Sequence, residues 1–159
     1  MSFRMFHEIC PEIAFRETRS ITLPDNSGYD LPPDGYAFWE MYCSEAGCDC
    51  RRVYFQVIAM SNPCVVLASI SWGWEPLAFY RQWGHYPGAA KDAKMMKGPA
   101  LALLSKQSAL APALLELAKG PLLSSPEEYV ERIKRHYTLF RGKIDGRKER
   151  GSGERAPTT

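Results

Sequence analysis

Three cysteines fall within eight residues, Cys43, Cys48 and Cys50, in the spacing C-x4-C-x-C, and Arg51 and Arg52 follow directly. Thiolates at this density are ligands for zinc or for iron–sulfur clusters. The four-residue loop lets Cys43 and Cys48 reach one ion, and Cys50 adds a third ligand from the same turn. Gly47, just before Cys48, permits a positive φ within such a loop. Three thiolates on Zn²⁺ leave one net negative charge. The neighbouring guanidinium groups would offset it and would lower the thiol pKa values. Zn²⁺ is the leading expectation. An iron–sulfur cluster normally takes four cysteines, so it ranks second, with Cys10 or Cys64 as the extra ligand. The plainer alternative is a set of free thiols on a hairpin loop.

A tetrahedral site needs a fourth ligand. His136 is the candidate named for it, because it falls at the edge of the apolar stripe of the last helix. The reading that ranks ahead for His136 itself is a buried residue bonded to a backbone carbonyl. His7, Cys10 and water are the rivals for the ligand role. His85, in the run Gly84-His85-Tyr86-Pro87, reads as solvent-facing.

The elements that would carry these residues follow from pattern. Residues 6–15 allow a short helix with Pro11 in its first turn. Residues 18–23, 36–43, 52–60 and 64–72 read as strands, with turn-rich segments at 24–35 and at Asn62-Pro63. Short connections between the last three strands favour an antiparallel meander, with the cysteines in the link between the second and third strands. A helix over Leu77, Phe79, Tyr80 and Trp83 follows. Residues 84–98 read as irregular, and 99–104 as a helical turn. A helix at 112–118 ends at Gly120. Ser125-Pro126-Glu127-Glu128 is a capping box opening the last helix, on which Tyr129, Val130, Ile133, Tyr137 and Phe140 share one face. The expected fold is α+β: a roughly four-stranded antiparallel sheet with C-terminal helices packed on one face.

A chain of 159 residues with 45% hydrophobic content fits one domain, over residues 1–141. The net charge of +2 divides unevenly. Residues 141–159 hold six Lys/Arg against three Asp/Glu, so they carry +3 and the remainder −1. Residues 142–159 lack apolar periodicity and read as a disordered basic tail. A basic tail is weak ground for nucleic-acid binding by the folded part. No apolar run is long enough to span a membrane, and no signal peptide is evident, so the expected location is cytoplasmic. A reducing compartment and an odd number of cysteines argue against a disulfide framework.

No GxGxxG, Walker loop, GxSxG or HExxH occurs. The aromatic run from Trp72 to Trp83 reads first as packing, second as a groove for a ligand or partner. Glu17 and Glu40 read as sheet-surface charges, or, if inward, as partners for Arg51 or Arg52. Three functional readings follow. The first is a zinc-binding protein with a structural site and a surface for a protein or small-molecule partner. The second is a metal-dependent hydrolase with an open zinc position and Glu40, Glu45, Asp49 or Glu75 as base. The third is a thiol redox protein using Cys48 and Cys50. Whether the chain is an enzyme stays open at this point.

The segment Glu40-Met-Tyr-Cys43 to Cys48-Asp-Cys50-Arg51-Arg52-Val53 resembles a YC-x4-CDCRRV motif found in a family of small uncharacterised bacterial proteins. Glu17-Thr18-Arg19, Gly73-Trp74-Glu75, Gln107-Ser108 and Arg135-His136-Tyr137 also resemble that family's pattern, over residues 6–140. The resemblance implies a shared fold and a shared cysteine site, and it implies no reaction.

Overall fold

The computed structural model describes residues 2–84, 87–123 and 127–152. In chain order the elements are β1 (Phe3–Met5), α1 (Phe6–Ile9), α2 (Pro11–Glu17), β2 (Arg19–Leu23), β3 (Asp34–Cys43), β4 (Arg52–Ala59), β5 (Asn62–Gly73), α3 (Leu77–Trp83), α4 (Ala89–Lys97), β6 (Ala100–Leu101), α5 (Ala111–Leu117) with a π-helical extension Ala118–Leu122, and α6 (Glu127–Ser152). The fold is α+β, as the pattern predicts, but the antiparallel sheet has six strands where four were expected. The extra two, β1 and β6, are three and two residues long, too short to leave a period-2 signature. β1 and β2 lie end to end along one edge of β3. The meander β3–β4–β5 forms the body of the sheet.

Several local expectations are corrected. The β4–β5 turn sits at Met60-Ser61, because Ala59 pairs with Asn62, and Asn62-Pro63 opens the strand. Residues 89–97 are helical rather than irregular, with Gly88 and Gly98 at the two ends. Residues 100–101 form a strand rather than a helical turn. Ser125 and Pro126 lie outside the described residues. The last helix continues past Gly142 to Ser152, so part of the stretch expected as a disordered tail is helical. Lys143 donates to the Ile9 carbonyl at 3.1 Å, which ties this extension to α1.

Side chains alternate across the sheet, and the register sorts them into two faces. Phe38, Glu40 and Tyr42 of β3, Val53, Phe55 and Val57 of β4, and Ala68, Ile70 and Trp72 of β5 line the inner face and are buried. Over it pack Phe6 and Ile9 of α1, Ala14 of α2, Leu114 and Leu117 of α5, and Tyr129, Ile133, Tyr137 and Phe140 of α6. The covering helices therefore come from both ends of the chain, not from the C-terminal half alone. Trp39, Met41, Tyr54, Gln56, Ser69 and Ser71 occupy the outer face. Helices α3 and α4 form a separate small cluster around Tyr80, Ala93 and Met96. Among the described residues no helix is long and apolar enough to cross a membrane.

Candidate metal centre

The sulfurs of Cys43, Cys48 and Cys50 lie within 4.8 Å of one another and form a group that could hold a metal ion. Cys43 ends β3, and the loop returns the chain to β4 at Arg52. Gly47 takes φ +70°, as the loop's sharpness requires. Cys43 and Cys50 are fully buried and Cys48 is half-buried, so the cluster is closed on most sides. The Cys43 sulfur receives hydrogen bonds from the Cys50 thiol, the Glu45 amide and the Cys48 thiol, which hold its pKa down to about 6. The Cys50 thiol is pushed far up, first by donating to Cys43 and then by burial, and Cys48 is raised by burial. One thiol thus ionises easily and its neighbours resist. A cation among them removes that resistance, since three anions around one metal attract it jointly. The amide of Cys50 points at the Cys48 sulfur in the same way that Glu45 serves Cys43.

Arg51 holds the loop's exit in an unusual conformation. Its φ is +49°, a region non-glycine residues seldom adopt. Four parts of the chain keep it there. Its amide donates to the Tyr137 hydroxyl at 3.3 Å, and its carbonyl accepts from the Tyr80 hydroxyl at 2.7 Å. Its guanidinium forms a two-bond fork with Asp49 at 3.0 and 2.8 Å, lies 3.6 Å from Glu75 and stacks over the Phe79 ring. The Tyr80 hydroxyl also accepts the Glu75 amide, and burial pushes its pKa up to about 12. A Cβ on Gly73 would sit 2.1 Å from that hydroxyl, so only glycine fits beneath it. On the loop's other side Asp145 accepts from the Gly47 amide at 3.2 Å and from Arg141. Arg141 in turn donates to the Cys43 carbonyl at 2.7 Å. The loop is thus braced by α3 and α6, and no sequence pattern pointed to Tyr80, Tyr137, Arg141 or Asp145 in that role.

His136 does not belong to the cysteine group. It is inward and fully buried, as its helical position predicts, but its Nδ1 lies 2.7 Å from Glu40 Oε1. Its hydrogen-bond partner is a carboxylate rather than a backbone carbonyl. Its ring stacks on Phe6, with centroids 4.5 Å apart. Nε2 lies 3.5 Å from Glu17 Oε1, a long contact rather than a strong hydrogen bond. The Tyr42 hydroxyl donates to the same Glu40 oxygen, and Glu40 Oε2 and the Tyr129 hydroxyl have no partner among the described residues. Burial, and then Glu40, drives the pKa of both tyrosines up. Glu40 is therefore an inner-face group, not a surface charge. Its signal was available: it alternates with Phe38 and Tyr42.

Glu17 pairs with Arg135 and Arg132 instead of Arg51 or Arg52. The Arg135 hydrogen bond is the main reason that its pKa falls to about 2. Of the other fourth-ligand candidates, His7 packs edge-on against Trp39, and Cys10 is buried in the main core. His85 lies outside the described residues. The aromatic run is largely packing: Trp72 lines the core, Trp74 contacts Tyr137, and Phe79 and Trp83 pack around Tyr80. No protein-family model, no curated protein and no solved structure matches this chain.

Proposed function

We propose that this is a small zinc-binding protein in which Cys43, Cys48 and Cys50 hold the metal and the metal is structural. The observation that carries the reading is the convergence of three sulfurs, two of them fully buried, at the single crossing from β3 to β4. Zinc there would staple the end of one central strand to the start of the next. Amide donors aimed at Cys43 and Cys48 favour thiolates over thiols, which is what a bound cation requires. With His136, His7 and Cys10 engaged elsewhere, water takes the fourth position. Three thiolates make the zinc a poor Lewis acid, so that water is weakly activated. Three of the four carboxylates weighed as hydrolytic bases support the same reading: Glu40 is buried against His136, and Asp49 and Glu75 face Arg51. A reducing, cytoplasmic setting suits three such thiols. On this reading the YC-x4-CDCRRV motif marks the site, and other chains that carry it hold the same metal.

Elemental analysis of protein purified without added metal tests this. The expected content is about one zinc per chain, with the three thiols slow to react until a chelator is added. Under about 0.2 equivalents of transition metal, with every thiol freely titratable, would overturn it. Reversible disulfide formation in that metal-free protein would move the redox reading ahead.

A further inference from the structure

The outer face of the sheet carries a second feature, independent of the cysteines. Two cavities of about 390 and 270 Å³ adjoin along a groove of the outer face and share Arg52, Tyr54 and Leu103 as lining. Phe3, Met41, Gln56, Ser69 and Ser105 line one part; Ser71, Asp92, Met95 and Met96 line the other.

Arg52 is the unusual member. It is only 6% exposed, yet no carboxylate lies within ion-pairing distance of it among the described residues. Its Nε donates to the Met96 carbonyl at 2.9 Å, and its Nη2 donates to Ser71 Oγ at 2.6 Å and to the Tyr54 hydroxyl at 3.3 Å. The carbonyl end of α4 offsets part of the charge, but it is not a counter-ion. Charges this well buried are normally paired. Around Arg52 the groove exposes apolar side chains: Leu103 is 70% and Met95 44% exposed.

We propose that this groove binds a small amphipathic carboxylate, its head on Arg52 and its chain along Met41, Phe3 and Leu103. With Nε and both Nη2 hydrogens engaged, Nη1 is the nitrogen left to meet a carboxylate oxygen, and the Ser71 and Tyr54 hydroxyls, which accept from Nη2, can each donate a hydrogen bond beside it. Among the described residues Arg52 is the one cation lining either cavity, and Asp92 stands on the same wall. That balance suits a single negative charge and disfavours phosphate dianions or polyanions. The methionines supply adaptable walls suited to a flexible acyl chain, and the volume matches a small-molecule site.

Calorimetric titration of the full chain with octanoate, 1-octanol and inorganic phosphate tests the proposal. Octanoate is expected to bind saturably, one per chain, below about 1 mM, with octanol at least about tenfold weaker and phosphate not competing. Leu103→Asp, at an exposed position, and Arg52→Lys, which keeps the charge but loses Nη1 and the planar guanidinium, should each weaken octanoate by about tenfold or more. Absence of saturable binding, equal affinity for octanol, displacement by phosphate, or unchanged affinity in Leu103→Asp would each overturn it. The Leu103 variant keeps the test decisive if Arg52→Lys does not fold.

Discussion

The cysteine loop and the Glu40–His136 cluster each draw one residue from β3, Cys43 and Glu40 on opposite faces, and they are held together in opposite ways. The cysteines converge within eight residues of chain. Glu40 and His136 are 96 residues apart and meet only when α6 lies across the sheet. The loop therefore closes at small entropic cost, and the cluster depends on the whole fold being in place. The loop concentrates thiols that repel one another once ionised, and a bound cation would relieve that repulsion. The cluster joins an acid, a base and a tyrosine hydroxyl that satisfy one another in part, so it needs none. A local site can be completed by a ligand, and a long-range one is completed by packing.

Removing the metal should have the largest effect and should strike the loop side alone. Chelation, or Cys50→Ser, should cost at least about 4 kcal/mol, the gain from a metal at a thousandfold excess over its Kd. For a domain of this size that is roughly a 10 °C fall in Tm. A chelated protein melting with the holo form would show that the loop stands without a staple.

Next in size is His136→Ala. It strands the Glu40 carboxylate in the core and removes the ring stacked on Phe6, at a cost of about 3 kcal/mol. Zinc content and chelator competition should stay as in the parent protein. Loss of metal with stability preserved would reverse the two regions' roles and restore His136 as a ligand.

Tyr80→Phe should sharpen the contrast. It deletes the hydroxyl that ties Arg51 to the end of β5, costing about 1 kcal/mol. It should also speed zinc transfer to a chelator, because the strained Arg51 backbone loses one of its restraints. A destabilised variant with unchanged transfer rate would mean the loop holds its shape without α3.

The smallest effect is at acid pH. Glu17 has a folded-state pKa of about 2, below its ordinary value of 4.5, so it stabilises the fold above pH 4.5. That contribution is lost as pH falls from about 4.5 toward 2. In Glu17→Gln, denaturant midpoints measured across that window should fall less steeply than in the parent. Parallel curves would show that Arg135 contributes nothing there.

The parts of the fold legible in advance were those with local signatures. β2 to β5 carry runs of β-branched and aromatic residues, and α6 carries its apolar face. The two ends of α4, Gly88 and Gly98, were visible but read as loop, because a nine-residue helix rich in Lys and small residues shows little contrast between faces. β1 and β6 exist because β3 and β5 offer open edges to pair with, which no pattern in two or three residues reports.

What the sequence determined by itself is the cysteine group, since C-x4-C-x-C brings its sulfurs together wherever the chain turns, and Gly47 lets it turn. Tertiary structure decided the rest. It sent His136 to Glu40 rather than to the thiols, because α6 crosses the sheet's inner face while the cysteine loop leaves the strand's end. It placed Arg52 on the outer face with no ion-pairing acid among the described residues, while Asp49 and Glu75 pair with Arg51. It also recruited Tyr80, Tyr137, Arg141 and Asp145 to brace the loop. The physical reason is range. Spacing along a chain controls contacts a few residues apart, and contacts across a hundred residues are settled by which faces bury the most apolar surface together.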